Sequence, residues 1–283
     1  MNKSFNDLFE YIEDSNEQNT IMPPKQNKSL ALAANMFAIA LLISGGYGVK
    51  YIFDQKQDIE DSRVRQEELL ASQQQKAKQI TENIKKEDAE KNSRTNIHRD
   101  FTALREENED IVAWITVPGT EIDMPIVQAE DNTYYLTHDI DKKTNSMGWA
   151  FADYQNTFPT LSTNTIFYGH TYRQTTIFSK LKNVLEKKWL DDDSKHMITL
   201  DTEKDRLLFK VFSVYTIDQT TDYLQIDFSS RDKYKEYLNT SLNRSIKDFK
   251  VTPTVNNKII TLSTCYNDSD QRLIVQAKLI GSE

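Results

Sequence analysis

The chain has 283 residues with 35 basic and 43 acidic side chains, a net charge of −8, so the excess of positive charge on which nucleic-acid binding rests is missing. A single cysteine rules out an intramolecular disulfide, and the folded part must be held by its core alone. The roughly 185 residues that remain after the N-terminal segments described next are enough for that.

Residues 1–29 contain five acids and Pro23-Pro24 and are expected to form a flexible tail. Leu30–Val49 is an uncharged, 20-residue apolar run, the length needed to cross a bilayer as a helix. A cleaved signal peptide ending near Ser44-Gly45-Gly46, or a buried core helix, competes with that reading. The long, net acidic segment in front weighs against the signal peptide. Lys25 and Lys28 precede the run and Lys50 and Lys56 follow it, so flanking charge leaves the orientation open. Residues 50–95 are rich in Gln, Lys and Glu and lack Pro and Gly. They are expected to form a polar stalk, helical through pairs such as Asp61–Arg65 and Glu82–Lys86, or else partly disordered.

The folded domain is expected over residues 96–283. A helix is predicted around Asn96–Asn108, where Ile97, Phe101 and Leu104 share a face. Strands are predicted at Ile111–Val117, Pro125–Gln128, Gly148–Asp153, Thr165–Tyr168, Met197–Leu200, Leu207–Ile217, Lys258–Thr264 and Leu273–Ile280. Ile177, Leu181, Val184 and Leu185 suggest one short amphipathic helix, and Ser230–Leu242 another. The fold class is therefore mainly β with peripheral helices.

The cysteine sits at the end of a β-branched run, Ile259-Ile260-Thr261-Leu262-Ser263-Thr264-Cys265. If this strand pairs with the one beginning at Arg272, alternation puts Ile260 and Leu262 with Leu273, Val275, Ala277 and Leu279 on one face. Thr261, Ser263 and Cys265 then share the polar face with Arg272 and Gln276, and Ile259 and Ile274 break the pattern. A thiol needs a proton partner to act as a nucleophile, because the thiolate is the attacking form. Four histidines are available. His98, in a charged stretch, and His196, after Asp191-Asp192-Asp193, read as solvated surface residues, and His138 reads as structural. His170 ends Thr165-Ile166-Phe167-Tyr168-Gly169-His170, where Gly169 would let the backbone turn and project the imidazole from the sheet edge. Taken singly, each of these residues has a structural reading: a buried thiol, a satisfied histidine, an arginine in a surface ion pair. Nothing in the spacing of Cys265 and the histidines suggests a metal site, and no cofactor is implied.

Tyr168-Gly169-His170, Thr261-Leu262-Ser263-Thr264-Cys265 and Arg272, in that order, resemble the signature of the sortases, cysteine transpeptidases of Gram-positive cell surfaces. Asn108–Ile115, Val117–Thr120, Met124–Gln128, Tyr134–His138, Gly148–Asp153 and Phe178–Leu181 extend the resemblance to class B members over roughly residues 96–280. One departure is Thr171, where class B members often carry Asn. The resemblance implies an eight-stranded sortase-type β-barrel behind one transmembrane helix and the polar stalk, with a cytoplasmic tail and an extracellular enzyme. It implies that Cys265 attacks a Thr carbonyl in the C-terminal sorting motif of a secreted protein, that His170 is the general acid and base, and that Arg272 binds the substrate backbone or oxyanion. Thr264 and Ser263 are the implied substrate-binding positions. The acceptor would be an amine of a peptidoglycan precursor or a pilin lysine. A thiol hydrolase and an inactive sortase-like binding module are the alternatives, the latter disfavoured because all three catalytic positions are filled.

Overall fold

The computed structural model describes residues 28–87, 99–170, 178–218, 220–265 and 271–283, without the side chains of 28–47, 80–87 and Cys265. Eight strands among these residues close into a barrel in the order β1-β2-β3-β4-β7-β8-β6-β5. They are β1 (Ile111–Val117), β2 (Ile122–Val127), β3 (Phe151–Ala152), β4 (Asn164–Gly169), β5 (Met197–Asp201), β6 (Arg206–Asp218), β7 (Ile259–Cys265) and β8 (Gln271–Ser282). The β2/β3 and β4/β7 pairs are parallel and the remaining pairs antiparallel. Every predicted strand is present, though of the expected Gly148–Asp153 only Phe151–Ala152 is strand. Strand β2 starts at Ile122, ahead of the expected Pro125, because Ile122 and Met124 already alternate inward while Asp123 accepts a bond from Trp114 Nε1 (2.6 Å).

The chain divides into two units, Met1–Ile52 and Phe53–Glu283, and helix α1 (Lys28–Glu87) runs through both. The tail expected at 1–29 lies outside the described residues up to position 27, and the side chains of the expected span lie outside them up to Tyr47. Among the described residues no helix is long and apolar enough to cross a membrane. The stalk tract is helical to Glu87, and from Asp58 to Leu70 it holds onto the barrel instead of standing clear of it. Ser146 donates to Asp58 through its backbone N (3.0 Å) and Oγ (2.8 Å), and Asn145 Nδ2 donates to Ser62 Oγ (3.0 Å). Arg65 reaches Asp141 (2.9 Å) and Glu107 (2.6 Å) and not the Asp61 expected from helical spacing. Leu69 joins the main core at 2% exposure. This face is thus apolar only at Leu69 and the half-buried Leu70 and tied down elsewhere by polar side chains, which a hydrophobic pattern does not reveal.

Helix α2 (Phe101–Glu107) is capped by Asp100, whose carboxylate accepts from Ala103 N (3.1 Å). Just before it, Arg99 stacks 4.0 Å above the Trp114 ring and bonds Asp123 (2.9 Å) and the buried Asp201 (3.0 Å), which also receives Arg206 (2.7 Å). The segment after His170 forms a 3-10 turn at Ser179–Leu185 where a helix was expected, followed by the short α3 (Lys187–Leu190). Helix α4 (Arg231–Arg244), capped by Ser230, lays Tyr234, Tyr237 and Leu238 over Phe212 and Ile259 outside the barrel. Ile274 packs with Tyr215 and Tyr223 in a third cluster. Both isoleucines that break the alternation of β7 and β8 are therefore explained: the outward face of this sheet is itself covered.

Candidate active site

Three strand pairings determine the site. Strands β4 and β7 run parallel with Tyr168 opposite Ser263 and Gly169 opposite Thr264, so both chains leave the same edge of the sheet. The residues that follow are His170 and Cys265. Strand β8 returns antiparallel to β7, with Arg272 the Cα partner of Cys265, Gln276 of Thr261 and Ile274 of Ser263. Strand β6 supports it from the other side, with Ile217 opposite Arg272. For the described side chains, the face assignment read from alternation is the one observed.

Gly169 serves a different end from the one expected. Its φ is not positive, and a Cβ there would come within 2.5 Å of the Phe178 ring, so the glycine makes room for Phe178 and not for a turn. Thr264 Oγ1 donates to Gly169 O (2.6 Å), tying the end of β7 to the residue before His170. The His170 ring is half-buried, with Nε2 3.1 Å from Leu136 O. A carbonyl only accepts, so Nε2 bears a proton and Nδ1 is the nitrogen left to take up or release one.

His170, Ser263, Thr264 and Arg272 share one cavity of about 530 Å³. Its other walls are Asn132, Leu136, Phe151, Tyr168 and Gly169 on one side and Thr220, Thr221, Tyr223 and Leu224 on the other. Arg272 is half-buried and donates from Nη1 to Gln271 O (3.2 Å). Tyr168 Oη and Asn132 Nδ2 both donate to Asp153 (2.8 and 2.9 Å). Burial, with Asp153 beside it, holds the Tyr168 phenol well above its ordinary pKa, so it stays a donor. The Tyr223 hydroxyl lies 3.1 Å from Ser263 Oγ. A half-exposed imidazole, a guanidinium and the end of the cysteine strand around an open, largely apolar cavity can support acyl transfer through a thiolate.

The remaining positions fall elsewhere. His138 stacks on Tyr134 (4.2 Å, 2° between planes), bonds Tyr134 O (2.9 Å) and is not among the residues lining the cavity. His196, expected on the surface, is 1% exposed. Trp189 (4.7 Å) and Phe249 (4.8 Å) enclose its ring and Trp189 O lies 3.1 Å from Nε2. Burial lowers its pKa. His98, Thr171 and the polar connector 266–270 lie outside the described residues. The wall formed by Thr220–Leu224 was missed, since a polar run after a long strand carries no motif. Tyr168 stood inside the quoted histidine motif and could have been found from it.

A model of the Sortase domain matches residues 115–280. Sortase B of Staphylococcus aureus (strain NCTC 8325 / PS 47) is 33% identical over 184 residues, 64% of this chain and 74% of that protein. Sortase B of Listeria monocytogenes serovar 1/2a (strain ATCC BAA-679 / EGD-e) is 32% identical over 200 residues, 69% of this chain and 80% of that one. The solved Staphylococcus aureus sortase B–substrate complex superposes with a TM-score of 0.65 at 29% identity, covering 78% of this chain and 97% of that one. With the barrel, the matched domain and these relatives in agreement, the chain belongs to the sortase family, as a class B sortase-type cysteine transpeptidase.

Proposed function

We propose that the enzyme cleaves the C-terminal sorting motif of secreted proteins after Thr and passes the acyl group to an amine of a peptidoglycan precursor or a pilin lysine. The Cys265 thiolate attacks the Thr carbonyl carbon, forming a C–S bond. As the C–N bond breaks, His170 gives its proton to the departing amine. The incoming amine attacks the thioester, His170 takes the proton it sheds, and the C–S bond breaks to return the thiolate. Arg272 donates to the carbonyl oxygen as negative charge develops on it. The observation that carries this reading is the parallel β4/β7 pair with Arg272 opposite Cys265, which sends all three positions to one edge.

The proposal includes anchoring of the mature protein through Leu30–Val49, with residues 1–29 cytoplasmic, 50–95 as the connection and 96–283 outside. The uncharged run supports it, as do Val49, Tyr51, Ile52 and Phe53, all more than half exposed at its end. Exposed aromatic residues at this position suit the membrane interface. Protease treatment of intact protoplasts should digest the catalytic domain and spare an N-terminal tag. A protected domain would reverse the orientation. For the chemistry, the full chain in detergent is offered Thr-containing peptides with and without triglycine or a lysine peptide. Mass spectrometry should find the amine joined to the Thr carboxyl; hydrolysis alone with every amine would favour the thiol hydrolase.

A further inference from the structure

The connection from β6 to α4 has two faces. Thr220, Thr221 and Leu224 wall the catalytic cavity, Asp222 and Gln225 face a second cavity of about 250 Å³ beneath α4, and Tyr223 borders both. On that rear side Arg244, the last residue of α4, donates from Nη1 (2.9 Å) and Nη2 (2.5 Å) to the two oxygens of Asp222. The residues around Asp222 are held by neutral bonds, among them Tyr237 Oη to Tyr223 O (2.9 Å), Asn164 Nδ2 to Gln225 O (2.8 Å), Asn164 N to Ile226 O (2.9 Å) and Leu224 N to Thr221 O (3.0 Å). Tyr223 itself is 4% exposed, and its hydroxyl meets Ser263, two residues before Cys265.

We propose that Arg244 is a positioning residue for the transfer reaction: by clamping Asp222 from behind, it sets the wall of the cavity formed by Tyr223 and Leu224. The inference rests on substrate occupying that cavity. The forked, two-bond geometry fixes orientation as well as distance, which the single bonds beside it do not. With side-chain exposures of 29% and 47%, the pair is partly screened by water, so its loss should loosen the wall and leave the fold intact. A positive charge at the end of α4 also suits the helix dipole. Lysine retains that charge but not the fork, so Arg244→Lys separates the two roles.

The test uses the full chain in detergent, the Thr-containing fluorogenic peptide that the wild type cleaves fastest from a library, and saturating triglycine. Arg244→Lys and Asp222→Asn should each raise KM about three- to fivefold with kcat within about twofold, and the double variant should be no worse than either single one. Amide exchange over residues 220–226 should quicken in both. Exchange unchanged in both variants overturns the clamp whether or not the chain turns over peptide. With quickened exchange, an unchanged KM, a loss confined to kcat, or single effects that multiply in the double variant overturns its role in the reaction. A wild type that cleaves no peptide would instead count against the function proposed above.

Discussion

His170 and His196 occupy opposite environments in the same barrel. His170 stands half-buried at the rim of an open cavity with one carbonyl on Nε2, next to the edge that carries Cys265 and Arg272. His196 is sealed between Trp189 and Phe249, and burial favours its neutral form. The difference teaches what the proposed mechanism asks of the fold: a parallel strand pair delivers one imidazole to the rim beside the thiol strand, while aromatic packing turns another into core.

The largest effects should appear at the rim. Cys265→Ala should abolish peptide cleavage, below about one thousandth of wild type, with the circular dichroism spectrum unchanged; residual thioester formation would remove the cysteine from the mechanism. Arg272→Lys should reduce kcat about 10²-fold, since a point charge cannot reproduce a planar fork aimed at an oxyanion. Near wild-type kcat for the lysine variant would leave a role for charge only.

Away from the rim the effects should fall on stability. Asp201→Asn leaves Arg206 without its carboxylate and Arg99 with only the half-buried Asp123, and should cost about 3 kcal/mol in denaturant titration, with kcat per folded molecule retained. Smaller still is the pH effect of His196. Its folded pKa lies below the unfolded value, so the unfolded chain binds the extra proton. The stability gained is complete above about pH 6.5 and declines as the pH falls through the folded pKa, by at most about 1.4 kcal/mol per pH unit for one proton. Denaturant titrations at pH 7.5 and 5.5 should show a larger drop for wild type than for His196→Gln. Equal drops would mean that the imidazole is not held neutral by its enclosure.

The strands were legible because β-branched runs and period-two alternation are local signals, and those signals also placed Arg272 opposite Cys265. The parallel neighbour β4 was not legible in this way. Its partner lies about 95 residues away, beyond any periodicity, and only the family resemblance brought His170 to the same edge. His196 was misjudged because its sequence neighbours are acidic, while Phe249, which closes over it, comes from a distant loop. The docking of α1 is not legible because polar residues such as Asp58, Ser62 and Arg65 do most of the holding, with Leu69 in the core and Leu70 against it.

The claim that one sheet edge assembles the reaction centre is tested most directly by intact-mass measurement of the full chain mixed with cleavable peptide and no amine. The account predicts an acyl adduct mapped to Cys265 in wild type that triglycine discharges as ligated product, and slowed formation and discharge of that adduct in His170→Ala. An adduct on another residue, or formation and discharge at wild-type rates in His170→Ala, would contradict it.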